Sequence, residues 1–359
     1  MSSKFTYADA GVDRELRVDS KKALENLKET YRFSHYGKVL ELPYGNIFPF
    51  MKNCYLDLVI EGVGTKVLVA QLIEKYDTIG IDGVAMAVND VIRSGARPLA
   101  VSDNIHAQIS NPTLVKEWLK GIAEGAAEAE CIVPSGEIGD MTEVIRGLGD
   151  GKGFDMVVAA IGEVAKENVI TGRNVKPGDA ILGLRSSGVH SNGMSLARKI
   201  LLKQWGGRYD SEDVPDGLEK PVADEILQPT KIYVRSFLRT TEEVEVKAAV
   251  HITGDAYLKF NRLARFSSGI GFEFNSFSPQ PVFKLIQETA SELGGLITDE
   301  EMFKTFNMGW GFAIVVDRQN AEEAIDTIEK AGVESAQIGL VTDSVGVRVF
   351  HGREKIVLK

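Results

Sequence analysis

Leu58-Val-Ile-Glu61-Gly62-Val-Gly64-Thr65-Lys66-Val-Leu-Val-Ala70 is an apolar, strand-like run that stops at a carboxylate and two glycines and passes at once into a helical pattern. Gly62 and Gly64 let backbone N–H groups approach a ligand closely, and Thr65 is placed to cap the helix that Val67, Leu68, Leu72 and Ile73 continue. A helix N-terminus carries partial positive charge, so the stretch has the makings of a phosphate site. Lys66 adds a point charge, and Glu61 offers the hard oxygen that suits a magnesium ion accompanying a nucleotide. The spacing Gly-x-Gly-Thr-Lys matches neither the P-loop nor the dinucleotide fingerprint. An ordinary strand-to-helix turn with an exposed lysine fits it too, until other residues join.

Three more carboxylates do. Ile79 to Gly95 has the apolar pattern of a buried helix ending at a glycine, with Asn89 and Asp90 in its interior. A carboxylate there costs several kcal/mol unless it is paired or bound to a metal. Pro98 to Asp103 and Cys131 to Glu137 are short apolar strands that end, like the first, on an acid. If these strands are neighbours, Glu61, Asp90, Asp103 and Glu137 converge at one end of a sheet as an oxygen-rich magnesium site.

Composition limits what such a site serves. The 359 residues exceed one usual core, so two domains are expected, with the boundary in the turn-rich stretch 163–177 and domains of 1–170 and 171–359. A formal net charge of −10 argues against nucleic acid as the main partner, while leaving room for a small phosphorylated ligand. Two cysteines, Cys54 and Cys131, exclude a disulfide scaffold, and no apolar run has the length of a signal peptide or a membrane span, so a cytoplasmic protein is expected. The first sixteen residues lack a clear period and read as a flexible arm; a helix is expected from Ser20, and a functional loop over Leu42 to Phe50.

The second half opens with the buried-type strand Asp179 to Arg185 and the polar loop Ser186-Ser187-Gly188-Val189-His190-Ser191-Asn192-Gly193 before a helix, again an anion-binding arrangement. His190 sits among donors, where an imidazole could handle protons or serve structure only. Strands at 244–250, 312–316, 336–341 and 345–350 alternate with helices, one from His251 through Phe266 and one capped by Asn320 and Glu323. The whole is α/β, in layered α+β style.

Tyr7-Ala-Asp-Ala-Gly-Val-Asp13, Glu61-Gly-Val-Gly-Thr-Lys66, Val88-Asn-Asp-Val91, Ser187-Gly-Val-His-Ser-Asn-Gly193, Pro229-Thr-Lys-Ile-Tyr-Val234, His251-Ile-Thr-Gly254 and Met302-Phe-Lys-Thr-Phe-Asn307 follow one another in this order. With them the chain resembles, over almost its whole length, the phosphoribosylformylglycinamidine cyclo-ligases (aminoimidazole ribonucleotide synthetases) of purine biosynthesis. Several motifs are shared with formylglycinamidine ribonucleotide synthetase, selenophosphate synthetase, thiamine-monophosphate kinase and a hydrogenase-maturation dehydratase. The first and last motifs are the more specific ones.

The resemblance implies a homodimer whose N-terminal mixed sheets pair into a β-barrel, with ATP and Mg2+ near that interface and a small phosphorylated ribonucleotide against a sandwich-like C-terminal domain. It implies Glu61, Asp90 and Glu137 as metal ligands, and Gly62, Gly64, Thr65, Lys66 and Asn89 at ATP. Ser187, Gly188, His190, Ser191, Asn192, Gly193, Thr253 and Gly254 would meet the substrate, and His190, Lys66 and Asp90 would serve the chemistry. The chain departs from the family pattern at Glu61, where Asp is usual, at Ser135-Gly-Glu137, and at Asp255, which sets a negative charge beside the expected phosphate approach. A metabolite kinase and a silent regulatory subunit are the alternative readings.

Overall fold

The computed structural model describes residues 3–358. The N-terminal half runs β1 (Ser3–Lys4), α1 (Arg14–Lys21), β2 (Leu40–Leu42), β3 (Gly45–Phe50), β4 (Cys54–Gly62), α2 (Lys66–Ile73), α3 (Asp77–Val91), β5 (Arg97–Ala107), α4 (Pro112–Glu128), β6 (Ile132–Asp140) and β7 (Phe154–Ala165). Six of these strands form one mixed sheet in the order β2-β3-β4-β7-β5-β6, in which only β5 and β6 pair in parallel. The expected loop over Leu42 to Phe50 is thus a hairpin, β2 and β3, turning at Pro43 and Tyr44.

Helix α3 lies on one face of this sheet, and glycines set how closely it packs. A methyl group on Gly83 would stand 2.8 Å from a methyl of Val158 on β7, and one on Gly121 of α4 would stand 2.1 Å from the Asp77 carbonyl of α3. The two helices therefore touch backbone to backbone. The other face of the sheet is uncovered: Leu58 and Ile60 of β4 are 60% and 69% exposed and sit beside Ile161 and Ala159 of β7.

The C-terminal half runs β8 (Ala180–Arg185), α5 (Met194–Leu201), α6 (Val222–Ile226), α7 (Val234–Glu243), β9 (Val246–His251), α8 (Phe260–Leu263), β10 (Gly271–Phe274), α9 (Pro281–Glu292), β11 (Gly295–Leu296), α10 (Asp299–Thr305), β12 (Trp310–Val316), α11 (Ala321–Lys330), β13 (Ser335–Thr342), β14 (Gly346–His351) and β15 (Glu354–Leu358). Seven strands make the second sheet, in the order β15-β14-β10-β13-β8-β12-β9. β9 and β12 are buried along their whole length; β12 reads as an unbroken apolar run for that reason, while β9 carries Lys247 and His251, whose buried side chains pair with Asp179 and Asp90. β1 pairs with β11 and ties the start of the chain to this half.

Several local expectations need correction. The first helix begins earlier than Ser20, at Arg14, because the Asp13 carboxylate caps it by accepting from Leu16 N at 3.0 Å; it gives way to a 3-10 stretch over Lys22–Phe33. After His251 only short helical pieces form, Ala256–Lys259 and α8. Asn320 makes no side-chain cap on α11. Among the described residues no helix is long and apolar enough to cross a membrane.

Candidate active site

β4 delivers Gly62 to the rim of a cleft of about 360 Å³, and Gly64 takes a left-handed φ of +73° so that the chain can turn into α2. Thr65 does not cap that helix; its hydroxyl shares a 2.9 Å hydrogen bond with Ser195 Oγ of α5. Ser191 and Asn192 face the glycine loop across the cleft, and Tyr7 and Arg17 of the N-terminal segment close a third side. The two anion-binding loops read from the sequence therefore share one cavity.

The segment expected to be a free arm is anchored. Tyr7 N donates to Glu301 Oε1 at 3.0 Å, and Arg14 donates to Glu301 Oε1 at 3.0 Å, to Thr305 Oγ1 at 2.6 Å and to the Lys304 carbonyl at 3.0 Å. All three partners lie on or beside the Met302 to Asn307 motif. Asn307 at its end donates through Nδ2 to the Gly188 carbonyl at 2.7 Å, and Phe306 packs where a side chain on Gly193 would stand. The last motif thus holds both the first motif and the Ser187–Gly193 loop.

The residues expected in direct contact with ligands fall into three groups. Gly62, Gly64, Thr65, Ser191 and Asn192 line the cleft. Gly254 lies at its edge, with Asn192 and the Arg17 guanidinium the atoms nearest to where its side chain would be. Ser187, Gly188 and Gly193 shape the loop behind it.

The other residues turn elsewhere. Lys66 is fully buried, its ammonium 2.9 Å from Asp82 Oδ1 of α3. Asn89 clamps the 231–233 segment, donating to the Lys231 carbonyl at 2.8 Å and accepting from Tyr233 N at 2.9 Å. Thr253 accepts from Lys259 Nζ. His190, at a left-handed φ of 62°, points into the protein, where its Nε2 accepts from Ser187 N at 3.1 Å and Lys231 N at 3.5 Å. Its Nδ1 is buried without a partner among the described residues. Burial, with the charges of His251, Lys66 and Lys231, holds the imidazole well below its ordinary pKa, so it is neutral and tied to backbone rather than poised over the cleft.

The carboxylates separate as well. Asp90 Oδ1 is 2.7 Å from His251 Nδ1, and Oδ2 is 2.7 Å from Arg93. Burial would raise the Asp90 pKa; the Arg93 guanidinium and the hydrogen bond from His251 outweigh it and hold the carboxyl well below its usual range. Glu61 stands beside it and is pushed up to about 7, first by burial and then by the Asp90 charge. Lys259, donating to the His251 carbonyl at 2.9 Å, is brought down to about 8 by burial. Asp103 and Glu61 both pair with Val158 from opposite sides, so they share a face of the sheet with a strand between them, roughly 10 Å apart. Asp103 is buried instead beneath Gly136, where a side chain would stand 2.3 Å from its Oδ1. Glu137 pairs with Asn104, the residue after Asp103, and so points to the uncovered face. Among the described residues no three His, Cys, Asp or Glu side chains gather for a metal.

Magnesium does not need three. It keeps several waters and uses one or two carboxylates together with substrate phosphates. Of the four carboxylates only Glu61 and Asp90 lie side by side, lining a pocket with Arg93 next to the cleft. Both Asp90 oxygens are already paired, with His251 and Arg93; Asp103 and Glu137 stand apart from the two. The sequence reading passed over Arg17, which lines the cleft, and Asp82, Arg93 and Lys259, which contact the residues it singled out. Asp82 had a signal, since it is a carboxylate inside the same apolar helix as Asp90. The Asp255 charge, expected to oppose a phosphate, is met by an ion pair with Arg262.

Comparison with known proteins bears on the same two halves. Residues 47–164 match the family model described as AIR synthase related protein, N-terminal domain, and residues 176–352 match its C-terminal domain. The phosphoribosylformylglycinamidine cyclo-ligase of Pyrococcus furiosus is 38% identical over 356 residues, covering 98% of this chain and 100% of that one. The Bacillus cereus protein of the same name is 35% identical over 353 residues, covering 96% and 98%. Among solved structures, E. coli HypE has a TM-score of 0.59 at 20% identity, covering 85% of each chain. T. maritima PurL complexed with ATP has 0.56 at 16%, covering 86% of this chain and 44% of that one. These last two show the fold alone. Because the Pyrococcus and Bacillus proteins are matched over nearly the whole of both chains, the chain belongs to the phosphoribosylformylglycinamidine cyclo-ligase family.

Proposed function

We propose that the protein closes the imidazole ring of aminoimidazole ribonucleotide from formylglycinamidine ribonucleotide, consuming ATP. The observation that carries this reading is the single cleft in which the Gly62–Thr65 loop faces Ser191 and Asn192 under Tyr7 and Arg17. One loop receives the nucleotide's phosphates on backbone N–H groups, and the other receives the acceptor. The γ-phosphoryl passes to the formyl amide oxygen and ADP leaves; the amidine nitrogen attacks that carbon, its C–O bond breaks, and phosphate departs with loss of a proton. Such a reaction depends on positioning and charge neutralisation rather than on a protein nucleophile. Glu61 and Asp90 would hold a magnesium ion, which when bound would supply part of that neutralisation. Arg17 faces the cleft as a cation, and His190 orders the Ser187–Gly193 loop by accepting from its backbone.

Residues 1–170 form the ATP-binding unit and residues 171–359 the substrate-binding unit. The uncovered face around Leu58 and Ile60 takes a second copy of the chain, sheet against sheet, closing a barrel. With purified protein, formylglycinamidine ribonucleotide should release ADP and phosphate in equal amounts with the imidazole product. ADP without free phosphate would make the protein a kinase, and neither would make it a silent subunit.

A further inference from the structure

Lys66 follows the cleft-lining Thr65 directly, yet its ammonium turns inward, with 0% of the side chain exposed, and donates to Asp82 Oδ1 at 2.9 Å and to the Gln228 carbonyl. That same Asp82 oxygen accepts from Thr230 N at 2.8 Å, Thr230 Oγ1 at 2.6 Å and Ser191 Oγ at 3.1 Å. One buried oxygen thus binds the start of α2, the 228–230 segment and the loop that faces α2 across the cleft. Asp82 Oδ2 is buried with no partner among the described residues. A fully buried ion pair is weak evidence for stability, because desolvation offsets most of the attraction. Its value here is geometric. Both loops turn on left-handed glycines, Gly64 at φ +73° and Gly193 at +79°, so neither loop fixes its own place.

We infer that Asp82 is a positioning residue for phosphoryl transfer: through Lys66 on one side and Ser191 on the other, it sets the distance between the loop that receives the nucleotide phosphates and the loop that receives the acceptor. The inference rests on the ring-closure reading for what the two loops hold. It also assigns Lys66 to the strut and not to the phosphates. Reacting atoms must be held near 3–3.5 Å, and a displacement of about 1 Å costs on the order of 10²-fold in rate.

Asp82→Asn, Lys66→Met and the double variant test it, with kcat, both KM values and ADP affinity by titration calorimetry measured for each. All three are expected to lose on the order of 10²-fold in kcat while ADP affinity stays within about twofold of wild type. The double should lose no more than the worse single, because the singles break one strut. Lys66→Met weakening ADP by about tenfold or more while Asp82→Asn does not would return Lys66 to the phosphates and overturn the inference. Losses that multiply in the double, or folded singles with wild-type kcat, would overturn it as well. Should Asp82→Asn fail to fold, Thr230→Val removes only the 2.6 Å hydroxyl donor; a lowered kcat at unchanged ADP affinity supports the strut, and an unchanged kcat refutes it. A wild-type enzyme that makes no imidazole product overturns the ring-closure reading alone. The variants are then measured on whichever acceptor the wild type phosphorylates.

Discussion

Asp57 should cost the folded protein stability at neutral pH, and replacing it with Asn should recover most of that cost. It is buried on β4, where it accepts one hydrogen bond, from Ser94 Oγ at 2.7 Å. Burial, only partly offset by that bond and by the Arg93 charge, raises its pKa from 3.8 to about 6. The folded state therefore holds the proton more tightly than the unfolded state does. The contribution to stability is fully present below the unfolded pKa and is lost as pH rises through about 6. A shift of roughly 2 units at 1.36 kcal/mol each is worth about 3 kcal/mol. Asn keeps the volume and the acceptor for Ser94 but adds an N–H pair, for which about 1 kcal/mol is subtracted. Urea unfolding of wild type and Asp57→Asn at pH 4, 6 and 7.5 should show near-equal stability at the lowest pH and an advantage of about 2 kcal/mol for the variant at the highest. Glu61, pushed up to about 7, titrates in the same window with the same sign, but its contribution cancels in the difference between the two proteins. A difference that stays flat across pH, or that favours wild type above pH 6, would refute the assignment.

Ile60→Glu places a charge on the uncovered sheet face in both copies of a dimer, and should weaken self-association on the order of 10³-fold. Sedimentation of wild type as a monomer, or of the variant as an unchanged dimer, would remove that face from the assembly. Arg14→Ala should free the N-terminal segment at a cost of about 2 kcal/mol, seen as faster proteolysis before residue 35 and a raised KM for the acceptor. Unchanged digestion would show that β1 and Tyr7 hold the segment alone.

Much of the layout was legible because it is written in local patterns. The largely apolar strands β8 and β12 lie in the interior of the second sheet, and the helix read from Ile79 to Gly95 is α3 with a 3-10 turn ending at Gly95. What escaped is non-local. The hairpin at 40–50 carries Pro43, Gly45 and Pro49, so it lacks the alternation that marks a strand, and its pairing with β4 is what makes it one. The arm at 7–17 has no period because its partners, Glu301 and Thr305, lie almost three hundred residues away.

The site divides in the same way, and the reason is physical. A sequence fixes which loop a side chain belongs to; it does not fix the direction in which the side chain leaves the loop. Lys66 beside two glycines has two destinations, a phosphate in the cleft or a carboxylate behind it. Asp82 decides between them from sixteen residues further on. His190 likewise serves the backbone because the 231 segment folds beneath it. Glu137 shows how small the deciding step is. Asp103 pairs with Gly136 and Asn104 with Glu137, so a one-residue difference in register puts the acid on the far face of the sheet. Acids that end successive strands converge only when the parity of each register agrees. At Glu61 and Asp103 it agrees, but a strand stands between them; at Glu137 it does not agree. Two carboxylates, Glu61 and Asp90, are therefore what this fold brings side by side from four, and the proposed magnesium site rests on that pair alone.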